Sequence, residues 1–337
     1  MTDIAITATD LVKVYPGRGR RRPVRALDGL SFAVPVGRVF GLLGPNGAGK
    51  STTTKILTTL ARPTSGAATV AGHDVLRQAD AVRAAIGYVS QGAGTDPLLT
   101  ASENLEIAAR LRGASAPASR SRAVELLREF GLEDAARRPV STFSGGMRRR
   151  LDVAAALVHR PRVLFLDEPT TGLDPEARAA MWGEIRRLSA EEALTVVLTT
   201  HYMEEADRLA DEILLVTRGV SVVQGAPDAL KAALHGDSVR VRLVEPDAVA
   251  VRAAIASVPG LRDVLVEASG VDGVLAARTD DASTAVGAVI SALDAAGIRY
   301  GQVAASHPTL DDAYLHFVGH TFGDPDTSPT DSKGAAA

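Results

Sequence analysis

Two stretches of this chain carry residue types suited to holding phosphate. GPNGAGKST at 44–52 spaces Gly44, Gly49, Lys50 and Ser51 as G-x-x-x-x-G-K-[ST]. Main-chain N–H groups along Gly44, Pro45, Asn46, Gly47, Ala48, Gly49, Lys50, Ser51 and Thr52 can wrap phosphate oxygens, the proline alone lacking one. Lys50 would place positive charge at the outer phosphates, and the Ser51 hydroxyl suits Mg²⁺. The second stretch, STFSGGMRRRLDVAAAL at 141–157, reads as a helix start open to an anion. Ser144 can cap it, Gly145 and Gly146 leave their N–H groups uncovered, and helix N-termini attract negative charge. One chain thus offers two anion sites about a hundred residues apart.

RVLFLDEPTTGLD at 162–174 is an apolar run that ends in Asp167 and Glu168. Two carboxylates at the end of a buried strand need partners. Asp167 suits a Mg²⁺ shell, and Glu168, one residue on, is placed to act on water. Three single residues stay open when taken alone. Tyr15 suits base stacking or plain strand packing. Gln91, after the IGYVS strand (86–90), suits a Mg²⁺ ligand or a loop cap, and His201 a phosphate donor or an ordinary satisfied histidine. Arg148, Arg149 and Arg150 read as a solvated, salt-bridged helix face.

The elements that must position these groups follow from periodicity. RVFGLL (38–43) is a strand running into the glycine turn, with TTTKILTTL as the helix behind it, the context a phosphate loop requires. From 95 to 140 the pattern is that of an inserted helical arm. Its first helix opens on Thr100 and Glu103 in capping-box spacing and closes at Gly113. Its second, about 119–130, puts Val124 and Leu127 on one apolar face and stops at Gly131. Strands at 163–167, 195–200 and 212–217 then alternate with helices, which predicts an α/β fold with a mainly parallel sheet.

Past about 236 the order becomes strand 239–243, helix 246–258, strands 263–268 and 273–278, helix 281–296 and strand 299–305. This βαββαβ order is the ferredoxin-like arrangement, a small α+β domain over 236–320 after a first domain over 1–235. A last helix is expected near Pro308. Asp311 and Asp312 read as helix-start acids, and Leu310, Ala313, Tyr314 and Phe317 as a docking face. The tail, 321–337, is polar and reads as disordered.

Composition narrows the chemistry. The 337 residues contain no cysteine, which excludes disulfides, thiolate metal sites and cysteine nucleophiles. A net charge of −3 argues against general nucleic-acid binding, and GRGRRRP (17–23) reads as a solvated loop. The N-terminus lacks the pattern of a secretory signal, and charge interrupts every apolar run, so no direct membrane span is expected.

Together, Tyr15, GPNGAGKST, Gln91, FSGGM, LFLDEP, GLD and His201 resemble the ATP-binding subunit of ABC transporters over about residues 5–225. The resemblance implies that Tyr15 stacks on adenine and that Gln91 links Mg²⁺ to a membrane partner. Glu168 polarises the attacking water with Lys50 and His201 at the phosphates, and Asp174 communicates between subunits. It also implies an ATP-bridged homodimer in which the Ser144–Gly146 turn of one copy closes over nucleotide on the other. The arm at 95–140 would face a separately encoded transmembrane permease, on the cytoplasmic face of a bacterial membrane. SGGMRRRLD, TTGLDP and HPTLDDAYLHFVG look like the daunorubicin/doxorubicin-resistance branch of exporter ATPases, with Met147 where the general signature has Gln. The expected cargo is a hydrophobic drug or natural product. The rivals are a lipid, glycan or peptide cargo, or a non-transport ATPase of the same family.

Overall fold

The computed structural model describes residues 3–17, 22–92, 94–234, 236–269 and 272–318, and the statements below concern these. Most of the GRGRRRP cluster and the whole 321–337 tail lie outside the described residues. The chain divides into two compact units, Met1–Ala226 and Pro227–Ala337.

In the first unit β1 (Ile4–Tyr15) pairs antiparallel with β2 (Val24–Pro35). Next come β3 (Val39–Leu43), α1 (Lys50–Leu57), β4 (Ser65–Val70), β5 (His73–Asp74), α2 (Ala79–Ala85) and β6 (Ile86–Val89). An arm of α3 (Ala101–Leu111) and α4 (Ala116–Glu129) leads to α5 (Gly145–Ala156) and β7 (Val163–Asp167). The unit closes with α6 (Pro175–Glu192), β8 (Thr195–Thr200), α7 (Met203–Leu209), β9 (Glu212–Thr217) and β10 (Val220–Gly225).

Two sheets result. The order β10-β9-β3-β8-β7-β6 is parallel except for β10, and β2-β1-β4-β5 is antiparallel throughout. The second sheet separates the first strands of the chain from β3, a division that periodicity did not reveal. β3, β7 and β8 are buried at every residue, as parallel strands covered on both faces must be, which explains their unbroken apolar runs.

The arm forms as its caps dictate. Thr100 and Glu103 make the reciprocal capping box that starts α3. α4 begins three residues earlier than periodicity suggests, because Ser115 accepts from the Ala118 N–H and Pro117 fits the first turn. Its buried face carries Ala123, Leu126 and Leu127, each leucine contributing about 1.5–3 kcal/mol by burial. Val124 lies outside this face and is 53% exposed, so the expected pairing of Val124 with Leu127 is corrected. Helical geometry accounts for this, since neighbours three residues apart share a face only within the width of the stripe.

The second unit opens with α8 (Pro227–Ala232) and continues as β11 (Asp237–Val244), α9 (Ala248–Ile255), β12 (Arg262–Ser269), β13 (Asp272–Thr279), α10 (Ala282–Ala295), β14 (Tyr300–Ser306) and α11 (Leu310–Val318). The sheet order β12-β13-β11-β14, antiparallel at each pairing, is the ferredoxin-like order. One core joins Val241, Leu243 and Leu275 of the sheet to Val251, Ile255, Val289 and Leu293 of the two crossover helices.

α11 departs from its expected role. Leu310, Ala313 and Tyr314 are buried, which leaves Phe317, partly covered, as the remaining member of the supposed docking face. Asp312 is 7% exposed and accepts from Ser238 Oγ, Arg240 Nη2, Thr309 N–H and Thr309 Oγ1. It is a buried hub. A charged group at that depth requires such partners; Thr309 lies three residues away, whereas Ser238 and Arg240 lie more than 70 residues distant.

Candidate functional site

Two positions of the 44–52 loop, Gly44 and Gly49, leave no room for a side chain. A Cβ on Gly44 would stand 2.2 Å from the Val216 carbonyl oxygen of β9. Gly49 has φ of 112°, and a Cβ there would lie 2.7 Å from the Ala26 carbonyl oxygen of β2. The loop is further tied by Ala48 N–H to Pro45 O (3.2 Å) and Gly219 N–H to Ala48 O (2.9 Å). Asn46 and Gly47 at its tip are exposed. Lys50, 6% exposed, donates from Nζ to Gly44 O (2.6 Å) and Pro45 O (3.0 Å). Burial pushes the Lys50 pKa down, and the charges of Glu168 and Asp167 oppose that shift. Ser51 is exposed and Thr52 half-buried on the first turn of α1. Tyr15 lies at the end of β1 opposite Val24, two residues before the Ala26 that abuts Gly49. Its ring is exposed, with Lys13 Nζ 4.9 Å from its centroid.

β7 delivers the acidic pair. Asp167 is 8% exposed and accepts from Thr199 Oγ1 at 2.6 Å, a consequence of the parallel β7–β8 register that sets Asp167 beside Thr199. Glu168 follows in the left-handed region, φ 47°, with its N–H directed at Thr199 O and Oγ1, both at 3.1 Å. Its carboxylate accepts from Thr171 Oγ1 (3.1 Å) and approaches His201 Nδ1 (3.2 Å), although that nitrogen is not aligned for a hydrogen bond. The Glu168 carboxylate and the His201 ring therefore stand together. Thr199 and Thr171 escaped sequence reasoning. The only signal for Thr199 was its place at the end of the neighbouring apolar strand.

At the second candidate anion site Ser144 caps α5, its Oγ accepting from Met147 N–H at 3.2 Å. Gly145 is exposed, and a Cβ there would meet Leu173 Cδ2 at 3.7 Å, whereas a Cβ on Gly146 would come within 2.9 Å of Ala177 of α6. Met147 packs against the apolar core shared by the arm, β7, β8 and α6, an arrangement that suits methionine better than glutamine. Asp174 caps α6 by accepting from Ala177 N–H at 2.8 Å. Gln91, exposed after β6, shares a cavity of about 460 Å³ with Gly145, Glu168 and Gly172. No described hydrogen bond or ion pair joins Ser144, Gly145 or Gly146 to residues 44–52.

One reading of the basic run is overturned. Arg149 is not solvated: it is 9% exposed and its guanidinium donates to four main-chain carbonyls around the acidic strand end. Arg150 donates to Phe130 O at 3.0 Å. Nothing in the sequence distinguishes a buried arginine from its exposed neighbours in such a run.

Among the described residues no helix is long and apolar enough to cross a membrane. The family model for ABC transporters matches residues 27–171. The chain is 46% identical over 319 residues to a daunorubicin resistance ATP-binding protein, DrrA3, of Streptomyces coeruleorubidus, covering 95% of this chain and 97% of that one. It is 42% identical to the daunorubicin/doxorubicin resistance ATP-binding protein DrrA of Streptomyces peucetius, over 96% and 95% of the two chains. A Nod factor export ATP-binding protein of Burkholderia orbicola is 46% identical over 67% of this chain and 74% of its own. Among solved structures, a dimeric ATP-binding cassette in a post-hydrolysis state with ADP and Pi aligns at a TM-score of 0.59. It is 28% identical and covers 66% of this chain and 98% of that one. With its phosphate loop, acidic strand end and capped glycine turn in place, the chain belongs to the ABC transporter family, as an ATP-binding, ATP-hydrolysing subunit homologous to the drug-resistance exporter ATPases.

Proposed function

We propose that two copies of the chain close on ATP and that hydrolysis drives a drug exporter through a separate membrane permease. The observation that carries the reading is that, among the described residues, neither of its two anion-suited turns is bonded to the other within the chain. The 44–52 loop and the Ser144–Gly146 turn each present uncovered donors, and no described bond joins them in one chain. A second copy is the simplest way to bring them onto the same nucleotide. In this assignment residues 44–52 cradle the phosphates, Lys50 meets the outer ones, and Tyr15 stacks on the base. Glu168 polarises water with His201 beside it, and Asp174 lies at the start of α6 next to the Gly145 turn.

Ser51, Gln91 and Asp167 would hold Mg²⁺, which when bound neutralises phosphate charge. The donor set of hydroxyl, amide oxygen and carboxylate suits that hard cation. Among the described residues no three His, Cys, Asp or Glu converge as a metal site, so the rest of its shell would come from phosphate and water.

The permease reading is supported by Leu98 and Leu111 of the arm, each 83% exposed, with Ile107 and Val124 also open. Docking there would hold the subunit at the cytoplasmic face of the membrane. The cargo reading, a hydrophobic drug or natural product, rests on the full-length relatives named for daunorubicin resistance. The 236–320 segment takes no part in the chemistry, since every ATP-binding feature lies before it, and serves regulation or partner binding.

The test is Glu168→Gln. The amide cannot take a proton from water, so turnover should fall by about two to four orders of magnitude while ATP binding persists. Size-exclusion chromatography with ATP and Mg²⁺ should then show a lasting dimer. A variant that binds ATP and stays strictly monomeric counts against closure on nucleotide.

A further inference from the structure

The carbonyl contacts of Arg149 form an arrangement that no part of the functional reading uses. Arg149 projects from the middle of α5 into the floor beneath the acidic strand end. Nε donates to Pro169 O (2.9 Å), Nη2 to Asp167 O (3.0 Å) and Glu168 O (3.3 Å), and Nη1 to Ser90 O (2.7 Å). Three consecutive carbonyls, 167 to 169, thus rest on one planar fork. The fourth contact fixes the residue just before Gln91. A guanidinium can do this because its five donors lie in one plane with fixed spacing.

The middle carbonyl belongs to a residue in an unusual conformation. Glu168 has φ of 47°, which a residue with a Cβ enters only when its surroundings impose it. β8 holds its N–H through Thr199, and Arg149 holds its C=O. Thr171 N–H shares that carbonyl at 3.4 Å, beside the 3.3 Å contact of Arg149. Rotating this peptide would swing the carboxylate away from His201 and Thr171.

Charge around the fork agrees with a fixed, permanent cation. Burial pushes the Arg149 pKa down, and the charges of Asp152, Asp167 and Glu205 oppose that shift in part. Asp152, about one turn further along α5, accepts from Gly94 N–H (3.2 Å) and Thr95 Oγ1 (2.9 Å), so the same helix grips the chain on both sides of Gln91.

We propose that Arg149 is a positioning residue for ATP hydrolysis. It holds Glu168 in the left-handed conformation that aims its carboxylate, and it locks the Ser90–Gln91 strand end to the same loop. This rests on the reading of Glu168 as the residue that polarises water. Arg149 touches no substrate. It acts through Glu168, and it therefore governs turnover rather than nucleotide affinity.

The experiment measures kcat and KM for ATP with the full chain as wild type, Arg149→Lys, Arg149→Met, Glu168→Gln and the double variant Arg149→Met/Glu168→Gln. A misplacement near 1 Å costs up to about a hundredfold in rate, so Arg149→Met should lower kcat roughly 10- to 100-fold with KM within about threefold. Arg149→Lys keeps the charge, but one ammonium cannot serve four carbonyls, and kcat should fall about 10-fold. The double variant should be no slower than Glu168→Gln alone, because the arginine works through that carboxylate. Folded Arg149→Lys with kcat within about threefold of wild type overturns the proposal, as do losses that multiply in the double variant. If Arg149→Met does not fold, Arg149→Lys decides. Wild-type turnover in Glu168→Gln would instead remove the functional reading beneath it.

Discussion

Replacing Gly44 with alanine tests whether the 44–52 loop binds nucleotide through the position of its main chain. The added Cβ would lie 2.2 Å from Val216 O and 3.1 Å from the Ala48 methyl. A carbon–oxygen contact needs about 3.3 Å, so the overlap is about 1 Å. Val216 cannot give way cheaply, because β9 is hydrogen-bonded between β3 and β10. The loop must move instead, at about 1–3 kcal/mol of overpacking strain. A donor shifted by about 1 Å leaves hydrogen-bond range, and a bond to a charged oxygen contributes about 1.5–3 kcal/mol. Affinity for ATP should accordingly fall about 10- to 100-fold. Gly47→Ala is the control. It has open space around it and φ of 81°, so it costs about 1–2 kcal/mol of backbone strain without overlap. Titration with a fluorescent ATP analogue, with urea midpoints measured alongside, separates the two effects. Wild-type affinity in Gly44→Ala at an unchanged midpoint would refute the reasoning.

Lys50→Ala should lower ATP turnover by about two to three orders of magnitude, since a buried, positioned charge is removed from the outer phosphates; a steady-state phosphate-release assay measures it. Gly145→Asp should fold normally, because the site has ordinary space, with Leu173 Cδ2 3.7 Å from a Cβ. Its nucleotide affinity should match wild type while turnover is lost, the new carboxylate facing phosphate across the dimer; normal turnover in the same assay sinks this. In the second unit, burial of Asp312 favours its neutral form, but the Thr309 bonds and the Arg240 charge outweigh this and hold its pKa below the ordinary carboxylate value. Its stabilisation is therefore complete above about pH 4 and is lost as pH falls further through the folded value. Asp312→Asn should cost about 1–3 kcal/mol at pH 7, towards the lower figure given the partly exposed Arg240, and flatten the acid limb of chemical denaturation; matching curves from pH 2 to 7 would contradict it.

Much of the architecture was legible because its signals are local. The glycine loop, the acidic end of β7 and the Thr100–Glu103 cap each fit within a dozen residues, and their physics needs no distant partner. The βαββαβ order emerged from strand and helix periods for the same reason. What escaped depends on contacts far along the chain. Arg149 meets Ser90 across 59 residues, and Asp312 meets Ser238 across 74, so neither burial leaves a trace in neighbouring letters. Val124 failed differently. It lies just beyond the edge of a narrow apolar stripe, where periodicity alone cannot separate the inner from the outer position.

The construction of α5 has a consequence for exchange with solvent. Within its first turn, Ser144 satisfies the Met147 amide through its hydroxyl and the Arg148 amide through its carbonyl, whereas the Gly145 and Gly146 amides precede any helical acceptor. Further along, Leu151, Val153 and Ala154 sit in the core with no exposed surface. Deuterium should enter the two glycine amides within seconds, while the later amides of the same helix wait for cooperative opening. Two fast reporters therefore adjoin a slow internal standard on a single peptide, and any anion that settles on the turn will announce itself as slowed labelling at 145 and 146 alone.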